Sequence, residues 1–85
     1  MKYIVEWRPS AQQDLADFWN NAADREAVAA AANSIDERLS RDPLREGESR
    51  QGATRILFVE PLAVYYDVDA TQQTVTVWRV WRYPR

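Results

Sequence analysis

The chain predicts an α+β domain: an antiparallel sheet built by its C-terminal half, with a two-helix hairpin packed on one face. Three observations carry that expectation. Ala53 to Val68 (ATRILFVEPLAVYYDV) and Thr74 to Tyr83 (TVTVWRVWRY) are rich in β-branched and aromatic residues, as strands are. Ser10 to Arg41 instead repeats its apolar residues at helical spacing. Lys2 to Trp7 alternates, with Tyr3, Val5 and Trp7 on one face.

In chain order, Lys2 to Trp7 reads as a first strand that Pro9 ends. Ser10 is placed as a helix N-cap, with Gln13 three residues on to close a capping box. The helix behind it carries one stripe, Ala11, Leu15, Phe18, Trp19 and Ala22, and Asp14 in its first turn suits the helix dipole. Trp7 and Trp19 are assigned to the core. A second helix starts after Asp24 as N-cap and runs to about Arg41 on the stripe Val28, Ala31, Ala32, Ile35 and Leu39. Its alanine run Ala29 to Ala32 allows close approach to the first helix. Asp42-Pro43 stops it, because a residue before proline avoids the helical region. Leu44 to Gly52 is a polar connector. Glu60-Pro61 then divides two strands as a tight reversal, and Asp69 to Gln73 links them to a third. The order is β-α-α-β-β-β, a single domain over residues 1–85. One sheet face stays partly open, and that face is the candidate interaction surface.

Composition narrows the chemistry. The 85 residues include no cysteine and no histidine, which removes thiolate nucleophiles, the usual general base and the commonest metal ligand. Asp14, Asp17, Asp36 and Glu37 read as a solvated helix face, so neither a metal site nor a cofactor is expected. No apolar run approaches the roughly 20 residues of a membrane span, and the expected location is the cytoplasm. The net charge of −2 argues against a general nucleic-acid binder, but it is unevenly spread. Residues 1–52 hold 7 basic and 10 acidic side chains, and residues 53–85 hold 4 and 3. Arg79, Arg82 and Arg85 crowd the last seven residues, so an anion-binding surface is sought there.

Five motifs in order resemble one family. Y-x-V-x-W-x-P-x-A-x-x-D-L-x-x-x-W at Tyr3 to Trp19 is similar to the start of RelE/ParE superfamily toxins. I-D-x-x-L-x-x-D-P at Ile35 to Pro43 and G-E-S-R at Gly47 to Arg50 continue the likeness. R-I-L-F-V-x-P-L-A-V-x-Y-x-V at Arg55 to Val68 and V-x-V-x-R-V-W-R at Val75 to Arg82 complete it. The resemblance implies the RelE/ParE-like fold and the toxin half of a type II toxin–antitoxin module, a class often labelled plasmid stabilisation proteins. It implies a small antitoxin partner that wraps the toxin with a helical or extended segment. It also implies one of two actions. RelE-like members cut mRNA in the ribosomal A site without a metal, by attack of the ribose 2′-hydroxyl on the adjacent phosphate. ParE-like members cut nothing and poison DNA gyrase.

For a nuclease the resemblance puts Arg55, Arg82 and Tyr83 in catalytic positions, with Arg55 as a phosphate contact on the strand that opens the sheet. The plainer role for Arg55 is an ion pair with Glu60 or an acidic helix side chain. Arg50, Arg79 and Arg85, with Trp78 and Trp81, are the residues expected to touch a target or its phosphates. Both tryptophans would stack on bases if RNA were the ligand, and otherwise belong to a core or a protein interface. Alternation puts Arg79 and Tyr83 on one face and Arg82 on the other. The chain stops at Arg85, before the downstream position where these nucleases often carry a Tyr as acid or base. Tyr83 would need a pKa lowered from about 10 by neighbouring arginines to replace it.

Ala63 is the telling departure, since RelE-like nucleases keep an arginine near that point. Losing one preorganised charge partner costs roughly two to three orders of magnitude in rate. The expected function is therefore a growth-inhibiting toxin of ParE-like action. The alternatives are a RelE-like ribosome-dependent endoribonuclease and a non-toxic member that only binds an antitoxin. Homodimer formation is compatible with each.

Overall fold

A computed structural model describes residues 2–49 and 52–83. Its elements are β1 (Ile4–Trp7), α1 (Pro9–Asn21), α2 (Arg25–Arg41), β2 (Glu48–Ser49), β3 (Thr54–Val59), β4 (Leu62–Asp69) and β5 (Thr74–Arg82). The strands form one five-stranded sheet in the order β1-β5-β4-β3-β2. β2 to β5 pair antiparallel, and β1 joins the outer edge of β5 in parallel, Ile4 beside Thr74 and Trp7 beside Val77. The predicted α+β layering is therefore present, with one addition. The polar connector contributes β2, whose two residues are too short to leave an alternation signal.

Glu60-Pro61 is the two-residue turn between β3 and β4, where Val59 faces Leu62 across a cis prolyl bond. The helices lie over the face formed by Leu57, Leu62, Val64, Tyr66, Val75, Val77 and Val80. α2 turns Val28, Ala31, Ile35 and Leu39 into that core, four of the five residues of its expected stripe. Val28, Ile35 and Leu39 each contribute about 1.5–3 kcal/mol by their burial. α1 buries Ala11 and packs Leu15, Phe18 and Ala22 beside it.

Four local expectations are corrected. Trp19 is 42% exposed, because it follows Phe18 directly and one helical step of about 100° turns it off the stripe. α1 begins at Pro9, whose fixed φ suits a first helical position, so Arg8 rather than Ser10 is the N-cap. The Ser10 hydroxyl instead donates to the Trp78 carbonyl at 2.8 Å, and Gln13 donates to Asp17 at 2.9 Å. With that start, Asp14 falls in the second turn, not the first. Asp24 does occupy the N-cap position of α2, but its carboxylate makes no capping bond.

The use made of Ser10 and Asp14 follows from the sheet. β1 stops at Trp7 and the chain turns into α1, so among the described residues no strand covers β5 beyond Val77. Buried backbone groups need partners wherever a ladder ends. Ser10 takes the Trp78 carbonyl, and the Asp14 carboxylate accepts the Val80 N–H at 3.0 Å. At the same level β5 carries a β-bulge. Tyr65 faces Arg79 and Tyr66 faces Val77, leaving Trp78 as the extra residue.

Candidate functional site

The sheet face away from the helices is aromatic. Pleat alternation places Phe58 of β3, Tyr65 of β4 and Trp81 of β5 on it, and the bulge adds Trp78. Tyr83 follows β5, held by its N–H donating to the Pro61 carbonyl at 2.8 Å. Phe58 and Tyr83 pack with ring centroids 4.7 Å apart, as do Tyr65 and Trp81. Ala63 lies between Phe58 on one neighbouring strand and Trp81 on the other and is 0% exposed. The methyl group thus floors an aromatic layer, where a longer side chain would part the rings. At the other end of the layer, the Trp78 indole N–H donates to Asp67 at 2.6 Å and the Arg8 guanidinium lies 4.5 Å from its ring centroid. The Thr54 hydroxyl holds the other Asp67 oxygen at 2.8 Å.

Of the described arginines singled out from sequence, Arg79 stands on the side of this layer, and Arg55 and Arg82 stand on the helical side. Arg55 faces the helical side beside Tyr66, where it donates to the carbonyls of Glu46 and Gly47, both at 3.3 Å. Neither Glu60 nor a helix carboxylate is its partner. The Tyr66 hydroxyl sits 2.9 Å from the Pro43 carbonyl and 2.5 Å from that of Glu46, sharing its proton between them. Burial pushes this phenol above its usual pKa, against the opposing effect of Arg55. Gly47 closes the knot with φ +65, and a Cβ there would meet the Ile56 carbonyl oxygen at 2.3 Å. Arg55 therefore anchors the connector.

Arg79 and Arg82 each meet a carboxylate of the helical layer. Arg79 donates from Nε and Nη2 to Asp14 at 2.8 and 3.1 Å, and Arg82 donates from Nη1 and Nη2 to Asp24 at 3.2 and 3.0 Å. The bond from Arg79 holds the Asp14 carboxyl below the usual range despite its burial, and Arg82 does the same for Asp24. Asp14 in turn raises the Arg79 guanidinium. Arg79 and Tyr83 rise on the open side and Arg82 on the other, as alternation predicts. Arg55 and Arg82 lie four ladder steps apart, ~13 Å along the sheet. Arg55, Arg82 and Tyr83 are therefore not brought to one point. Arg50 and Arg85 lie outside the described residues.

Two features were missed in the sequence. Phe58 and Tyr65 complete the aromatic layer, and extending the alternation from Ala63 would have placed them there. The second is a groove of about 610 Å³ between α1 and α2, lined by Trp7, Leu15, Trp19, Val28, Ala32 and Asp36. Its signals were Trp19 displaced from the stripe and the alanines that keep one wall low. Trp7 is fixed in it by its indole N–H donating to Asp36 at 3.1 Å.

The α+β arrangement of two helices on a five-stranded sheet is one that known proteins share. The sequence model of the family described as "ParE toxin of type II toxin-antitoxin system, parDE" matches residues 5–83, and the chain belongs to that family. It is the toxin class of a type II toxin–antitoxin module. Among solved structures, the chain is similar to one in the toxin–antitoxin complex RelBE2 from Mycobacterium tuberculosis. The TM-score is 0.77 at 25% identity, over 96% of this chain and 99% of that one. A chain of the chromosomal ParDE system from P. aeruginosa gives 0.64 at 20% identity, over 95% and 96%. One from the intact E. coli RelBE complex gives 0.68 at 16%, over 98% and 99%. The latter two likenesses are of fold. No curated protein sequence matches the chain.

Proposed function

We propose that this toxin acts by occupying a protein target in the cytoplasm, in the manner of gyrase-poisoning members of its family, and not by cutting RNA. One observation carries the reading. Each described candidate arginine is committed to an internal acceptor, whereas the open face offers Phe58, Tyr65, Trp78 and Tyr83 to solvent. Phosphoryl transfer needs unshared cationic donors aimed at one developing charge. Here Arg55, Arg82 and Tyr83 diverge, and a methyl group stands at Ala63. Rigid, exposed aromatic rings are instead the usual anchors of protein–protein contacts. The antitoxin is a separate partner, and the apolar groove between α1 and α2 suits an amphipathic helix laid along it.

Two assays run side by side test this. Purified protein is added to a DNA gyrase supercoiling reaction and to a translation extract carrying a defined message. The reading expects blocked supercoiling and intact message. Message cut on the ribosome, with supercoiling untouched, would replace it with the endoribonuclease reading.

A further inference from the structure

The basic end of β5 has the composition of a single-stranded nucleic-acid site: Arg79 and Arg82 interleaved with Trp78 and Trp81. Its geometry withholds the cations. A guanidinium binds carboxylate and phosphate through the same kind of forked edge, so an edge filled by one is closed to the other. Each arginine has one such edge filled, and by carboxylates from different elements. Asp14 comes from the second turn of α1. Its side chain is only 16% exposed, and it accepts from Arg79 twice and from the Val80 N–H once. Asp24 comes from the link between the helices and accepts from Arg82 twice. Asp24 stands at the N-cap of α2, yet its carboxylate makes no capping bond.

We propose that Asp14 and Asp24 determine specificity by holding the arginines of β5, and so keep this end of the sheet from gripping nucleic-acid phosphate. The inference rests on the reading of the toxin as a protein binder and deepens it by naming what excludes the other polymer. Both aspartates act through the arginines they hold and need not touch the target.

The test uses the full chain and a fluorescent 12-nucleotide RNA, with binding followed by anisotropy across a salt series. Asp14→Asn/Asp24→Asn frees two guanidiniums and should bind the RNA more tightly than wild type. Each added single-strand phosphate contact steepens the dependence of log affinity on log salt by about 0.7, so the slope should steepen by about 1.4. Asp17→Asn/Glu26→Gln removes the same charge from exposed helix positions and should leave the slope at the wild-type value. Should the double variant fold poorly, Asp24→Asn alone changes an exposed pair and should steepen the slope by about 0.7. A slope equal to wild type in the Asp24→Asn and double variants, or an equal gain in the charge control, overturns the inference. Tight RNA binding by wild type would instead strike the protein-binding reading, because the inference is read only from the difference between variant and wild type.

Discussion

Tyr66→Phe removes one hydroxyl from the interior and almost no volume. Tyr66 is fully buried on the helix-facing side of β4, and its hydroxyl reaches back 23 residues to the carbonyl of Pro43 at 2.9 Å. Without it, the Glu46 carbonyl keeps the long Arg55 bond at 3.3 Å, while the Pro43 carbonyl loses the donor it has here. Stranding one buried acceptor costs about 1–3 kcal/mol. In a domain of this size each kcal/mol moves Tm by about 4–8 °C, so a fall of at least about 4 °C is expected. Circular dichroism on heating and in urea reads it, and the urea m-value should not change, because the surface exposed on unfolding is the same. Pairing the variant with Arg55→Ala should give a coupling energy above about 0.5 kcal/mol, since both side chains hold one connector. A variant that melts within a degree of wild type would refute the claim that this hydroxyl pins the connector to the sheet.

Arg55→Ala should lower stability by about 1–2 kcal/mol through its two lost carbonyl contacts, yet leave the potency per folded molecule unchanged in a growth assay. Gly47→Ala should cost about 1–3 kcal/mol from its positive φ alone, and more from a Cβ 2.3 Å from the Ile56 carbonyl, visible as a lower urea midpoint. Asp14 and Asp24 have folded pKa values below their unfolded ones. Their stabilisation is therefore present above the ordinary carboxyl value near 4 and is lost as pH falls through the folded values. Acid titration of Tm should fall steeply below about pH 4, and less steeply in Asp14→Asn. Tyr66 has the opposite sign. Its raised phenol pKa stabilises the fold below about pH 10 and costs stability as pH rises past that, a loss that Tyr66→Phe should abolish.

The layers were legible because their signals are local. Alternation at Tyr3, Val5 and Trp7, the stripe Val28-Ala31-Ile35-Leu39 and the Glu60-Pro61 turn each follow from the period of the element that contains them. What stayed hidden depends on partners far away in sequence. Ser10 and Asp24 have the chemistry of caps, but Ser10 covers an unpaired edge 68 residues on and Asp24 meets an arginine 58 residues on. Arg55 matched a phosphate-contact position by motif, and only the fold of the connector shows Glu46 and Gly47 beneath it. Ala63 stood out in the sequence as a departure from the arginine of RelE-like members, and only the pairing of β3, β4 and β5 shows it buried between Phe58 and Trp81.

What the aromatic layer binds decides the proposed function most directly. Tyr65→Ser/Trp81→Ser removes one packed ring pair from the face and leaves α1, α2 and their groove intact. Its affinity for DNA gyrase and for the antitoxin can be measured by surface plasmon resonance beside wild type. The expected result is gyrase binding weakened at least tenfold, as for loss of an interface anchor worth about 2 kcal/mol, with antitoxin binding preserved. Gyrase binding equal to wild type in a folded variant would contradict the central claim.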